Sequence, residues 1–428
     1  MRLYNTLSRK LEPLPGADPL RLFVCGPTVY DSSHIGHGRI YVFFDIFARY
    51  LRSQKRKVFY LQNITDIDDK IIRRARETGV DPLTLSKQLT KSHFADMRAL
   101  GIRSVTKYAP ATRYIKQIVR QVQTLIDKGY AYLIEGDPSR QGADEAGGWY
   151  FDIAKFADYG KLSGRSVAQA EDALTRIDES VAKRNKGDFC LWKLARTHAD
   201  QTRTNADKKK KFITIDGEPA WNTKLGWGRP GWHIEDTAIS EHYFGPQYDL
   251  HGGGLDLKFP HHEAEIAQQE AASGKSPMVK IWMHVGMLTI NGEKMSKSLR
   301  NFITIKDFLQ KYSPAVLRYL VAGHHYRSPI DFTDVLAAQA RASLATLAEF
   351  SAKLALAQKK NARAASAHID SDGFEKEFAD ALDNDFNTPA ALAAVHAAIN
   401  AANPLLWSLP ARELKKISSW LAGSLALF

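Results

Sequence analysis

The apolar positions near the amino terminus switch between two periods. Leu20-Arg21-Leu22-Phe23-Val24 is a short β-type run, and Gly26-Pro27 punctuates it. From Ile40 to Leu51 the apolar positions 40, 43, 44, 47 and 51 follow helical spacing, with Val42, Ile46 and Tyr50 on the other side. That pattern predicts a helix buried on more than one face. Val58-Phe59-Tyr60-Leu61 then reads as a second buried strand. A strand–helix–strand unit of this size implies parallel strands and a right-handed crossover. Residues 70–130 read mostly as helix, with Ile115, Ile118, Val119, Val122 and Ile126 on one apolar face. The stretch from about 132 to 221 is looser, with Gly147-Gly148, scattered charges and the run Lys208-Lys209-Lys210-Lys211. The lysine run reads as a solvated loop or as a phosphate contact. Gly and His are dense from Trp227 to Lys297, and a helical pattern resumes after Asn301. The last eighty residues are Ala- and Leu-rich; Ala345, Leu347, Phe350, Leu354 and Leu356 suggest a helical bundle.

These elements predict an α/β fold: a Rossmann-type doubly wound parallel sheet, split by an insertion and followed by an α-helical C-terminal bundle. The expected divisions are 1–115 for the first half of the nucleotide fold, 116–221 for a connective insertion and 222–300 for the second half. Residues 301–345 form a connecting region and 346–428 the bundle. A ligand is expected at the carboxyl ends of the strands.

Composition narrows the function class. A chain of 428 residues implies two or three domains, and its 44% hydrophobic and 25% charged content is that of a globular protein. The formal charge of +12 suits a polyanionic partner such as nucleic acid, and equally a solvated basic surface. No apolar stretch approaches the roughly 20 residues of a membrane span, so no membrane partner is expected. Arg2, Arg9 and Lys10 are not followed by a long apolar run, so no signal peptide is read and a cytoplasmic location is expected. Two cysteines, Cys25 and Cys190, exclude a disulfide framework.

Two short motifs carry phosphate chemistry. His34-Ile35-Gly36-His37 opens the buried helix. Helix N-termini present free N–H groups and a positive dipole end, glycine admits a phosphate, and flanking imidazoles can donate to it. Lys294-Met295-Ser296-Lys297-Ser298 places two cations on a polar loop, suited to a pyrophosphate leaving group. Each alone also reads as a surface turn or a solvated basic loop; the pair, in this order and this far apart, is more specific.

With these motifs the sequence resembles the class I aminoacyl-tRNA synthetases, and among them the cysteinyl family. Cys25-Gly26-Pro27-Thr28-Val29-Tyr30-Asp31 and Asn63-Ile64-Thr65-Asp66-Ile67-Asp68-Asp69-Lys70 resemble that family's signatures. So do Arg229-Pro230-Gly231-Trp232-His233-Ile234-Glu235, His251-Gly252-Gly253-Gly254 and Phe259-Pro260-His261-His262-Glu263. Asp383-Asn384-Asp385-Phe386-Asn387-Thr388-Pro389 resembles the motif of its helical domain.

The resemblance implies activation of cysteine with ATP and Mg²⁺, then transfer to the 2′-hydroxyl of the terminal adenosine of tRNA-Cys. His34, Gly36, His37, Gly252, Gly253, Gly254, Lys294 and Lys297 would bind ATP, with His34, His37, Lys294 and Lys297 catalytic. Thr65, Trp232, His233 and Asp256 would line the cysteine pocket, Asp256 receiving the ammonium. One zinc ion would be held by Cys25, position 236, His261 and Glu265. Zinc takes thiolate, imidazole and carboxylate donors, and metal ligation separates a thiol from a hydroxyl where size cannot. Position 236 departs from the family: Asp236 stands where a second cysteine is usual. Ligation by Asp236 is expected, with a three-ligand site and a metal-free site as alternatives. The resemblance also implies a monomer, a stem-contact role for 301–345 and tRNA binding by the bundle. The terminal anticodon-binding domain of the family is expected to be absent or reduced. The rival readings are a cysteine:amino-sugar ligase of the mycothiol type and a catalytically silent tRNA- or metal-binding paralogue.

Overall fold

The structure is a computed structural model that describes residues 1–136, 147–165, 182–195, 211–295, 301–360 and 367–428. Five strands build its central sheet: β1 (Leu20–Val24), β2 (Val58–Ile64), β3 (Lys107–Pro110), β4 (Tyr248–Gly254) and β5 (Val279–Val285). Their order is β3-β2-β1-β4-β5 and all pairs are parallel. Sheet growth therefore reverses at β1, which makes the carboxyl ends of β1 and β4 the switch-point crevice of a doubly wound sheet. The expected fold class is the observed one.

Helix α1 (Ile35–Ser53) crosses from β1 to β2. Val42, Phe43, Phe44, Ile46, Phe47 and Leu51 are all buried, so the helix is enclosed on more than one side, as its pattern predicts. Its first turn is capped by imidazoles rather than by a hydroxyl or carboxylate. His34 Nδ1 accepts from the Gly36 N–H at 3.1 Å, and His37 Nδ1 lies 3.5 Å from the His34 N–H. The signature motif is thus also a capping box that satisfies otherwise orphaned helix donors.

The looser stretch of the sequence folds into a second sheet. Ala131–Glu135, Gly147–Phe151, Phe189–Leu194, Gly228–Pro230, Glu218–Trp221 and Phe212–Ile215 lie in that spatial order, all antiparallel. Strands of three to six residues carry too few alternations for their period to stand out in sequence. Phe151, Phe189, Leu191 and Trp192 of this sheet share a core with Ile234 and Ala238 of helix α2 (Ile234–Phe244) and Ala264 and Ala267 of helix α3 (Glu263–Ser273). The insertion therefore backs the two helices that carry the candidate site. Lys208, Lys209 and Lys210 lie outside the described residues.

The C-terminal part is helical, led by a 27-residue helix, Asp334–Lys360. Leu347, Phe350 and Leu354 are buried with Ala340 and Ala357, one stripe of a 3.6-residue period. Ala345 and Leu356, expected in the apolar set, fall off that stripe and are exposed. Asp385 ties the bundle to the rest of the fold: it accepts from the Tyr4 N–H and the Tyr326 hydroxyl at 2.8 Å and from Arg327 Nε at 3.0 Å. No helix among the described residues is long and apolar enough to cross a membrane.

Candidate active site

Three segments converge at the carboxyl end of β1. Cys25 follows β1, Asp236 lies in the first turn of α2, and His261 and Glu265 flank the start of α3. Carboxylates are favoured in first turns, where the helix dipole is positive. The donor atoms of Cys25, Asp236, His261 and Glu265 lie within 4.8 Å of one another, and all four residues are buried. His261 Nε2 is 3.1 Å from Asp236 Oδ2 and 3.1 Å from Glu265 Oε1. Cys25 Sγ is 3.8 Å from Glu265 Oε1.

The imidazole of His261 is held from behind. Its Nδ1 lies 2.8 Å from His233 Nδ1, and the Trp232 indole stacks on it at 4.3 Å between centroids. With Nδ1 engaged, Nε2 is the nitrogen left for the cluster. Sequence reading placed His233 in the substrate pocket. The structure buries it against His261 and the Phe189 ring, with the Gln268 amide donating to its carbonyl at 2.5 Å.

The cluster fits a bound cation. Burial pushes the Cys25 thiol above its ordinary range, and the adjacent Glu265 and Asp236 carboxylates push it further. Burial, then Asp236, raises Glu265 in the same way. Glu265 Oε2 is buried and has no hydrogen-bond partner among the described residues. One thiol, one imidazole and two carboxylates are the donor types zinc takes, and a divalent ion would relieve all three acidic groups at once.

A second donor set shares two members of the first. His251 Nε2 and His262 Nε2 lie 3.2 Å and 3.0 Å from Cys25 Sγ. With Cys25 and Glu265 they too fall within 4.8 Å of one another. Behind them His251 Nδ1 meets the Tyr248 hydroxyl at 2.6 Å and His262 Nδ1 meets His284 Nε2 at 2.8 Å. Burial holds these imidazoles neutral, His284 at about 3. Sequence reading assigned His251 and His262 no role. The His261-His262 doublet was the available signal.

At the N-terminus of α1, the His34 and His37 rings stack at 3.8 Å. Burial lowers His34 to about 4 and takes His37 below its ordinary range, so both are neutral N–H donors at pH 7. A Cβ on Gly36 would come within 2.9 Å of the Met295 methyl and of the His34 ring. Glycine there lets the two signature segments touch. Lys294 is exposed on the two-residue strand Glu293–Lys294, whereas Lys297 lies outside the described residues. In the triple glycine, the space of a side chain is already filled: a Cβ on Gly252 would meet Phe44 at 2.1 Å, and one on Gly253 the His262 ring at 2.9 Å. Asp256 is exposed, and its Oδ1 would lie 2.5 Å from a Cβ on Gly254. Thr65 is buried and donates to Glu235 Oε2 at 2.8 Å. Lys70 Nζ sits 5.4 Å from the centroid of Trp232 and 5.7 Å from that of Tyr30. Cys190 lies in the insertion sheet, outside both donor sets.

Residues 14–342 match the model of the tRNA synthetases class I (C) catalytic domain, and residues 377–422 match the DALR domain. A cysteine–tRNA ligase of Thermoplasma volcanium is 42% identical over 426 residues, 98% of this chain and 86% of that one. The chain belongs to the class I cysteine–tRNA ligase family. Other relatives bearing the same name are 47% identical in Thermoplasma acidophilum, over 80% of this chain and 69% of that one, and 42% identical in Thermococcus onnurineus, over 95% and 80%. Among solved structures, the Mycobacterium tuberculosis methionyl-tRNA synthetase in complex with methionyl-adenylate superposes with a TM-score of 0.66 at 15% identity, covering 96% of this chain and 89% of that one. The ternary complex of an Agrobacterium radiobacter LeuRS gives 0.64 at 13% identity, over 97% and 85%. Both share the fold, including the helical region after the catalytic sheet.

Proposed function

We propose that this chain activates cysteine with MgATP and transfers it to the terminal adenosine of tRNA-Cys. The observation that carries the reading is the buried Cys25, Asp236, His261 and Glu265 cluster beside the imidazole-capped N-terminus of α1. Cys25, Asp236, His261 and Glu265 would hold zinc, which when bound supplies a Lewis-acidic site that prefers a thiolate to a hydroxyl.

The remaining chemistry belongs to the protein's own groups. The cysteine carboxylate attacks the α-phosphorus of ATP; the bond to pyrophosphate breaks and cysteinyl-adenylate forms. His34 and His37, neutral by burial, donate to the phosphoryl oxygens as charge develops. Lys294 and Lys297 hold the departing pyrophosphate. Asp256 receives the substrate ammonium, Thr65 and Trp232 line the pocket, and His233 fixes the ring of His261. The triple glycine lets the adenosine approach the end of β4. The 2′-hydroxyl of the tRNA then attacks the adenylate carbonyl and gives its proton to the adenylate phosphate; the acyl–phosphate bond breaks, the ester forms and AMP leaves. Positioning and charge stabilisation account for both steps. The match of the bundle to the DALR domain supports a tRNA acceptor over an amino-sugar.

The test is ATP–pyrophosphate exchange followed by tRNA charging. Exchange must require cysteine. Equal exchange with serine, or an adenylate never passed to tRNA-Cys, would overturn the reading.

A further inference from the structure

Asp236 brings a problem that a cysteine in its place would not have. A thiolate offers one donor atom, whereas a carboxylate offers two and can turn about its last torsion to present either or both. The structure answers this with Asn63, the penultimate residue of β2, which is 2% exposed. Asn63 Nδ2 donates to Asp236 Oδ1 at 2.5 Å, while Asp236 Oδ2 faces His261 Nε2 at 3.1 Å. The other end of the same amide is engaged too: Asn63 Oδ1 accepts from the Gly26 N–H at 2.5 Å. These partners fix the amide orientation, because a backbone N–H can only donate and a carboxylate oxygen accepts. Asn63 therefore links the residue after Cys25 to Asp236, two ligand-bearing segments that lie 211 positions apart in the chain (236 − 25). The backbones at this point are also in close contact, since a Cβ on Gly26 would lie 1.7 Å from the Asn63 carbonyl oxygen.

We infer that Asn63 is a positioning residue for the metal centre: its amide occupies Asp236 Oδ1 so that Oδ2 alone is offered to the ion. The inference rests on the proposed ligation by Asp236. By holding one carboxylate oxygen away, Asn63 would keep Asp236 a single-donor ligand, as a cysteine would be. Groups that orient metal ligands typically contribute about 10–100-fold in metal affinity.

The experiment measures the zinc dissociation constant by competition with a chromophoric chelator, and the thiolate-to-cobalt charge-transfer band of the Co²⁺-loaded protein. The proteins are the wild type, Asp236→Ala, Asn63→Ala, Asn63→Asp, Asp236→Cys and the Asn63→Ala/Asp236→Cys double variant. Asn63→Ala is expected to weaken zinc binding by about 10–100-fold. Asn63→Asp keeps the acceptor for Gly26 but sets a carboxylate against Asp236, and is expected to weaken it at least as much. In the Asp236→Cys background, whose charge-transfer band should be stronger, Asn63→Ala should change zinc affinity by less than about threefold, because a thiolate has no second donor atom to restrain. Wild-type zinc affinity in both Asn63 variants, with Asp236→Ala weakened, would overturn the role of Asn63 and leave ligation by Asp236 standing. An equal loss from Asn63→Ala in both backgrounds would show a merely structural tie and overturn it as well. Wild-type affinity in Asp236→Ala would remove the ligation itself, and the inference with it.

Discussion

The two ends of the crevice are built on opposite plans. At its base, Cys25, Asp236, His261 and Glu265 are each at most 4% exposed, and a further layer of His233, Asn63 and Trp232 holds them. At its mouth, Lys294 is exposed on a two-residue strand. The difference teaches where each task needs rigidity. On the proposed roles, telling a thiol from a hydroxyl needs donor atoms held in place before the substrate arrives, which suits a buried and braced base. In the proposed reaction, neutralising a departing polyanion needs charge but little geometry, which an exposed lysine on a short hairpin would supply. His34 and His37 stand between the plans, half-buried in a helix cap from which the proposed reaction would draw phosphate contacts.

The comparison can be broken in order of effect. The largest is expected from His37→Ala, which removes a preorganised donor: kcat for ATP–pyrophosphate exchange falls by about 10²–10³-fold. Saturation kinetics should show the KM for cysteine almost unchanged; a rise in that KM equal to the loss in kcat would place His37 in the base instead. Next, His233→Ala should lower zinc affinity by about 10–100-fold, read by chelator competition, and leave the KM for ATP as it was. A shift confined to ATP would return His233 to the nucleotide side. Lys294→Ala, at the mouth, should cost about tenfold or less in exchange, an effect that shrinks as salt is raised and leaves the unfolding midpoint unchanged. A loss that salt does not touch would show that Lys294 is braced after all.

The smallest effect is on stability. His93 is buried against Ser33 and Tyr41, and burial lowers it to about 4. A histidine with a lowered folded value binds its proton more readily when unfolded. Its contribution is therefore complete above the unfolded value of about 6.5 and is lost as pH falls from there toward 4. Urea unfolding of His93→Phe across that window should show a shallower acid loss than the wild type. Parallel curves would mean that His93 does not titrate there.

Much of the fold was legible because its signals are local. The strand–helix–strand opening shows as a change of period between Leu22 and Tyr60, and most of its apolar positions are buried, Ile40 and Phe59 only partly. Leu347, Phe350 and Leu354 were legible for the same reason, whereas Ala345 and Leu356 were not, since apolar content alone does not fix the angle around a helix. The six-stranded insertion sheet escaped because its strands are short and its pairings cross long separations, as between Gly228–Pro230 and Phe189–Leu194.

By itself, then, the sequence determined the chemistry on offer: imidazoles at a helix start, lysines on a loop, and a thiol, an imidazole and two carboxylates in long recognisable motifs. It also showed that Asp236 departs from the family pattern. Only the tertiary structure decided how those groups are held. Asn63 reaches Asp236 across 173 positions, His233 lies against the ring of His261, and the triple glycine makes room for Phe44 and His262. The physical reason is that motif content follows local chain composition, whereas a side chain's hydrogen-bond partner depends on which strand ends and helix starts the sheet brings together.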